Sequence, residues 1–172
     1  MKPLYVMLIG LPASGKTTLA RQIVKTFYND TWCVLSTDDF VELSAKRQGK
    51  TYDEVFPQAI DFAISTMNER LSYALDRRHN IIHDQTNLTV KSRARKLASI
   101  PRDYIPIAIV CETSSTERAE RLASRPGKTI PREVDAEMVK NFQAPTVNEF
   151  NVIATDDNWQ PILASFLPIH SY

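Results

Sequence analysis

The segment Gly10-Leu-Pro-Ala-Ser-Gly15-Lys16-Thr17 constrains what this chain can fold into more than any other part of it. It fits the pattern GxxxxGK[ST]. An apolar run, Leu4–Ile9, precedes it, and Ala20, Ile23, Val24 and Phe27 follow at helical spacing. A strand, a glycine turn and a helix in that order make a phosphate-binding loop. Gly10 and Gly15 permit backbone turns that a side chain would obstruct. The set predicted to hold a triphosphate is Gly10, Pro12, Ala13, Ser14, Gly15, Lys16, Thr17 and Thr18, with loop N–H groups and the helix N-terminus facing the phosphates. Lys16 is placed to reach the β- and γ-phosphate oxygens, and the Thr17 hydroxyl to ligate Mg²⁺. The chain has only four glycines, so a chance match in a glycine-rich turn is a poor explanation.

The rest of the chain agrees with that start. Apolar runs at 33–36, 80–83, 107–111 and 151–154 alternate with helical patterns, which predicts parallel strands joined by crossover helices. Ile60, Ile64, Met67, Leu71 and Leu75 mark a helix with Pro57 in its first turn. Val90, Ala94 and Leu97 mark another, capped by Thr89, and Val134, Met138 and Phe142 a third after Pro131. Residues 44–56 are polar without a clean period and read as a surface excursion near the acceptor. A length of 172 residues suits one domain over 1–172. The net charge of +1 excludes a protein that coats nucleic acid by bulk charge, though not a local basic groove. No apolar run reaches membrane-spanning length, and the start lacks the basic segment of a signal peptide. Cys33 and Cys111 fall in apolar strands and read as buried free thiols of a reducing compartment. The expected location is the cytoplasm, including that of a host if the chain is phage-encoded.

Candidate chemistry sits after each predicted strand, where ligands bind in open parallel sheets. The second strand runs into Ser36-Thr37-Asp38-Asp39. Asp38 is assigned as the carboxylate that takes the proton of an attacking hydroxyl, with Asp39 as a helix cap. The third strand ends in His83-Asp84-Gln85-Thr86-Asn87. Asp84 is assigned to Mg²⁺, and Thr86 and Asn87 to the acceptor or to orienting Asp38; a plain turn and helix cap is the competing reading. His79, His83 and His170 lack metal-ligand spacing, so no zinc site is assigned. Arg118, Arg121 and Arg125 are spaced to share a helix face ahead of Pro126-Gly127-Lys128. They predict an arginine lid over the triphosphate, roughly 115–131, with Glu117 and Glu120 available for ordinary surface pairing instead. Lys91, Arg93, Arg95 and Lys96 form a basic cluster, either a solvated face or a grip on the acceptor's phosphates, the latter assigned to Arg93 and Arg95.

With these parts in view, the chain resembles the 5′-kinase domain of the phage and animal polynucleotide kinases. GLPASGKTT, STDDF, HDQTNLTVKSRARKL and the run from TERAERLASRPGKTIP to VKNFQAPTVNEF carry the resemblance over nearly the whole chain. The same segments resemble the kinase-like domain of a nuclear ribonucleoprotein scaffold. The resemblance implies an adenylate-kinase-like α/β fold, three-layered, with a five-stranded parallel sheet. It implies transfer of the ATP γ-phosphate to the 5′-hydroxyl of a DNA or RNA end. It makes Lys16 and Thr17 the phosphate and metal residues, Asp38 the general base, and Arg121 and Arg125 the catalytic lid arginines. Where the phage enzymes carry a phosphate-binding arginine soon after the base, this chain has Val41. A phosphatase part is not expected in so short a chain.

Two other readings stand beside this one. A kinase for a nucleoside, nucleotide or other small molecule uses the same scaffold. A nucleotide-binding module without turnover belongs to a different class, and the intact Lys16, Thr17, Asp38 and lid arginines oppose it. The loop 155–159 is assigned as a neighbour of adenine on fold analogy.

Overall fold

Six consecutive residues without solvent exposure, Leu4–Ile9, form β1 and the centre of the molecule. A continuous apolar run that alternates nothing polar must be covered on both faces, and this one is. Leu4, Val6 and Leu8 pack with Leu19, Ile23, Ile107, Ile109 and Leu163 on one side. Tyr5, Met7 and Ile9 pack with Leu35, Met67, Ile81, Ala108 and Phe150 on the other. The period of two within β1 therefore divides one buried strand between two cores.

The computed structural model describes residues 2–167; His170 lies outside them. The elements are β1, α1 (Lys16–Thr26), β2 (Trp32–Leu35), α2 (Thr37–Gln48), α3 (Tyr52–Asp76), β3 (Asn80–Asp84), α4 (Val90–Leu97), β4 (Ile105–Val110), α5 (Ser115–Ala123), α6 (Arg132–Lys140), β5 (Val152–Thr155) and α7 (Trp159–Ala164). The five strands are all parallel in the order β2-β3-β1-β4-β5, with helices on both faces, so the fold is the expected three-layer α/β P-loop kinase fold. Cys33 and Cys111 are buried and free. No helix among the described residues is long and apolar enough to cross a membrane.

Three local expectations need correction. Pro57 lies inside α3, in its second turn. The helix begins earlier because Thr51 and Glu54 form a reciprocal capping box, and this turns the end of the predicted excursion 44–56 into helix. Residues up to Gln48 belong to α2. The cap of α2 is Ser36, which accepts from the Asp39 N–H at 3.3 Å, so Asp39 sits in the first turn and is not the cap. Val41 is fully buried against Ala45, Val55 and Ala63 between α2 and α3, so this position holds the helix pair together and faces no ligand.

Candidate active site

The loop after β1 is shaped by close contact. A Cβ on Gly10 would lie 2.5 Å from Ser14 Oγ and 2.7 Å from the Cys111 carbonyl oxygen, so only glycine fits. Gly15 has φ 92, a conformation that disfavours any side chain, and from it α1 starts with no side-chain cap. The uncapped N–H groups at that end are the donors that an anion would meet. Lys16 is buried and donates to the carbonyls of Gly10 at 3.0 Å and Leu11 at 2.7 Å. Burial is the main cause that brings its pKa down to about 8, with Asp84 acting in the opposite sense.

Asp84 closes β3 beside the loop and is buried. Its Oδ2 makes no hydrogen bond, and burial raises its pKa, opposed first by a hydrogen bond with Thr17 and then by Lys16. An orphaned buried carboxylate oxygen next to a threonine hydroxyl fits a hard divalent cation such as Mg²⁺, which keeps several waters and takes its other oxygens from phosphate. Thr17 and Asp84 are the residues that would hold it.

The β3 turn is stitched to the phosphate loop. The Gly10 N–H donates to the Thr86 carbonyl at 3.1 Å, and the Asn87 amide donates to the Leu8 carbonyl at 2.7 Å and the Gln85 carbonyl at 3.0 Å. Asn87 is buried at φ 52, and its Oδ1 accepts from Lys96 Nζ at 2.5 Å. Its side-chain bonds thus go to fixing the loop, while the residue itself also lines the cavity. Thr86 does line the cavity. The link toward Asp38 runs instead through Gln85, whose Nε2 donates to Thr37 Oγ1 at 3.1 Å and whose Oε1 accepts from Lys96 at 2.6 Å. Burial holds His83 neutral, with a pKa of about 3. Its Nε2 lies 3.1 Å from Gln85 Oε1 and its Nδ1 2.6 Å from the Tyr5 hydroxyl, so it packs and does no acid–base work at this site.

Arg93 is the largest correction. It is fully buried, bonded to Glu149 at 2.7 and 3.0 Å and to the carbonyls of Asn87, Leu88, Gln143 and Ala144. It ties α4 to the segment after α6 and offers nothing to a polynucleotide. Periodicity could not expose this, because Glu149 and Gln143 lie 56 and 50 residues away. Arg95 is exposed and does not line the cavity.

The arginines divide in the same way. Arg118 is buried, donates to the Pro12 carbonyl at 3.0 Å and pairs with Asp135 of α6. Arg121 donates to the Ala13 carbonyl at 3.2 Å and pairs with Glu117. Both brace the phosphate loop from the side of α5. Arg125 lies beyond the end of α5, off the shared helix face, and is the one of the three that lines the cavity.

That cavity, about 590 Å³, runs from Gly15–Thr18 past Asp38 and Asp84 to Lys96, and α6 walls it with Val134 and Met138. Asp38 sits in it half-exposed, with Tyr52 donating to Oδ1 at 2.8 Å and Lys128 to Oδ2 at 2.7 Å. Tyr52, Gln85 and Lys128 are the residues that sequence reasoning missed, and Lys96 is the member of the basic cluster that reaches the cavity. A signal existed for Tyr52, since Thr51-x-x-Glu54 is a capping-box pattern that starts a helix there.

Comparison with known proteins gives the same scaffold. A family model described as AAA domain, AAA_33, matches residues 6–145. A protein from Chloroflexus aurantiacus classed only provisionally as a kinase is 22% identical with a TM-score of 0.67, the match covering 90% of this chain and 88% of that one. A chain of the Pnkp1/Rnl/Hen1 RNA repair complex is 24% identical with a TM-score of 0.64, the match covering 81% of this chain but 43% of that one. Shikimate kinase from Acinetobacter baumannii is 13% identical with a TM-score of 0.55, over 96% of each chain.

Proposed function

This chain belongs to the AAA_33 family of AAA domains, and on that premise we propose that it is a P-loop kinase that moves the ATP γ-phosphoryl group to the 5′-hydroxyl of a polynucleotide. The observation that carries the reading is Asp38, half-exposed in the same cavity as Lys16, Thr17, Asp84 and Arg125. In the transfer, the acceptor oxygen bonds to the γ-phosphorus as the bond to the β–γ bridging oxygen breaks. The hydroxyl proton goes to Asp38, and ADP leaves. Lys16 and Arg125 face the charge that shifts to the phosphate oxygens, where fixed cations act most strongly. Mg²⁺ at Thr17 and Asp84 would supply further charge neutralisation of the β- and γ-oxygens.

Support for a polynucleotide acceptor comes from Lys96, a cation that lines the same cavity as Asp38, and from the resemblance in the HDQTN turn and the lid. A small-molecule acceptor is the second reading. It is favoured by the burial of Arg93 and Val41 and by the net charge of +1. The test is a panel of 5′-hydroxyl DNA, 5′-hydroxyl RNA and free nucleosides with γ-labelled ATP. Label on an oligonucleotide 5′ end is expected. Label on nucleosides alone overturns the polynucleotide acceptor, and hydrolysis without transfer to any alcohol overturns the kinase.

A further inference from the structure

Both oxygens of Asp38 are held by groups from outside its own helix. Tyr52 comes from the first turn of α3, and burial above all keeps its hydroxyl protonated, hence a donor. Lys128 comes from the turn between α5 and α6. Its ammonium is caged by Asp38 at 2.7 Å, Glu42 at 2.8 Å and the Tyr52 ring at 4.2 Å. The lysine side chain is only 17% exposed against 52% for each carboxylate, so the cation is the enclosed partner.

The turn that carries Lys128 is docked on the start of α3. The Asp53 N–H donates to the Gly127 carbonyl at 2.9 Å, and the Thr129 N–H donates to the Asp53 carboxylate at 2.8 and 3.1 Å. Gly127 has φ 71, and a Cβ there would lie 2.5 Å from Thr51 Cβ, so the seat admits glycine alone. Docking therefore delivers Lys128 to Asp38.

We propose that Lys128 and Tyr52 are positioning residues that fix the carboxylate plane of Asp38 and make that orientation depend on the lid turn being docked on α3. An ionised carboxylate has about four acceptor sites. Tyr52 and Lys128 take one on each oxygen and stop rotation, which leaves an aimed lone pair for the acceptor hydroxyl. With the carboxylate half-exposed, the ion pair adds little stability, so its effect belongs to geometry. The proposal rests on the reading of Asp38 as proton acceptor.

The experiment measures kcat and both KM values for Lys128→Met, Lys128→Arg, Tyr52→Phe and Gly127→Ala, each in the parent and in an Asp38→Asn background, with melting curves. In the parent, Lys128→Met, Tyr52→Phe and Gly127→Ala are expected to lower kcat roughly 10- to 100-fold, the size of effect that misplacement of a reacting group produces. The nucleotide KM should stay within about twofold, and Lys128→Arg should recover part of the loss. On Asp38→Asn the same substitutions should cost under about threefold, because the group they aim is gone. Undiminished losses on Asp38→Asn overturn the proposal alone, as does a rise in acceptor KM with kcat unchanged, since Lys128 would then touch the acceptor itself. If Asp38→Asn by itself keeps parent turnover, the reading of Asp38 falls and takes the proposal with it.

Discussion

Lys16 has no second lysine in the loop to replace it, and its ammonium is buried against loop carbonyls. Lys16→Ala should therefore cost on the order of 3 kcal/mol or more of transition-state stabilisation, in the range for removing an electrostatic donor. Near-parent turnover in a folded variant would remove the phosphate-loop assignment. The lowered pKa adds a pH test. Lys16 is charged below about 8, and a triphosphate binds the charged form better. Nucleotide affinity should be level below that pH and fall as pH rises through it. Lys16→Arg stays charged and should flatten the profile in direct binding without acceptor. The last condition matters because burial also brings Lys96, on the acceptor side, to about 8. Asp84→Asn removes the orphaned carboxylate oxygen and should weaken Mg²⁺-dependent nucleotide binding while leaving metal-free binding nearly unchanged. Equal loss with and without Mg²⁺, read by titration, would make Asp84 a structural residue.

At the scale of elements, α4 and the segment after α5 carry the next expectations. Arg93 joins α4 to the segment around Glu149 from a fully buried position. Deleting one partner of a buried pair costs about 3–5 kcal/mol, so Arg93→Ala should lower the melting temperature by roughly 6–20 °C for a domain of this size. Glu149 is held below the usual carboxylate range, chiefly by its hydrogen bond from Arg93. The stability this adds is present above the ordinary glutamate pKa and is lost as pH falls through the lowered value. Glu149→Gln should therefore make acid unfolding less steep, which a series of melts below pH 5 would show; an unchanged slope contradicts the pairing. The proposed lid segment makes a different demand. Arg125 faces the cavity, whereas Arg118 and Arg121 brace Pro12 and Ala13. Arg125→Ala should lower kcat with little change in nucleotide KM, and Arg118→Ala should raise nucleotide KM and lower stability together. The reverse pattern would exchange the roles of the two arginines.

At the scale of the whole molecule, 21 Lys and Arg are offset by 20 Asp and Glu, so no bulk positive field draws a polynucleotide. If the acceptor is the proposed polynucleotide, the log of affinity should fall with log salt by about 0.7 for each phosphate contact on a single strand. Arg95→Ala should make that slope shallower by about one contact if the strand runs along α4. No change at any salt concentration leaves Arg95 a solvated residue. What the sequence by itself determined is local and periodic. The phosphate loop, the five parallel strands, the cap at Thr89 and the arginines ahead of Pro131 are each written in neighbouring residues or in spacings of two and about three and a half, so chain order suffices to read them. Only the tertiary structure decided which charged side chains face the cavity. Arg93 and Lys96 stand three apart on α4, yet one is sealed against Glu149 and the other reaches Gln85 and Asn87. Lys128 and Tyr52 meet Asp38 from 90 and 14 residues away. The physical reason is that a charge's role depends on its partner and its access to water, and both are fixed by which elements pack together, a property no local window of the chain contains.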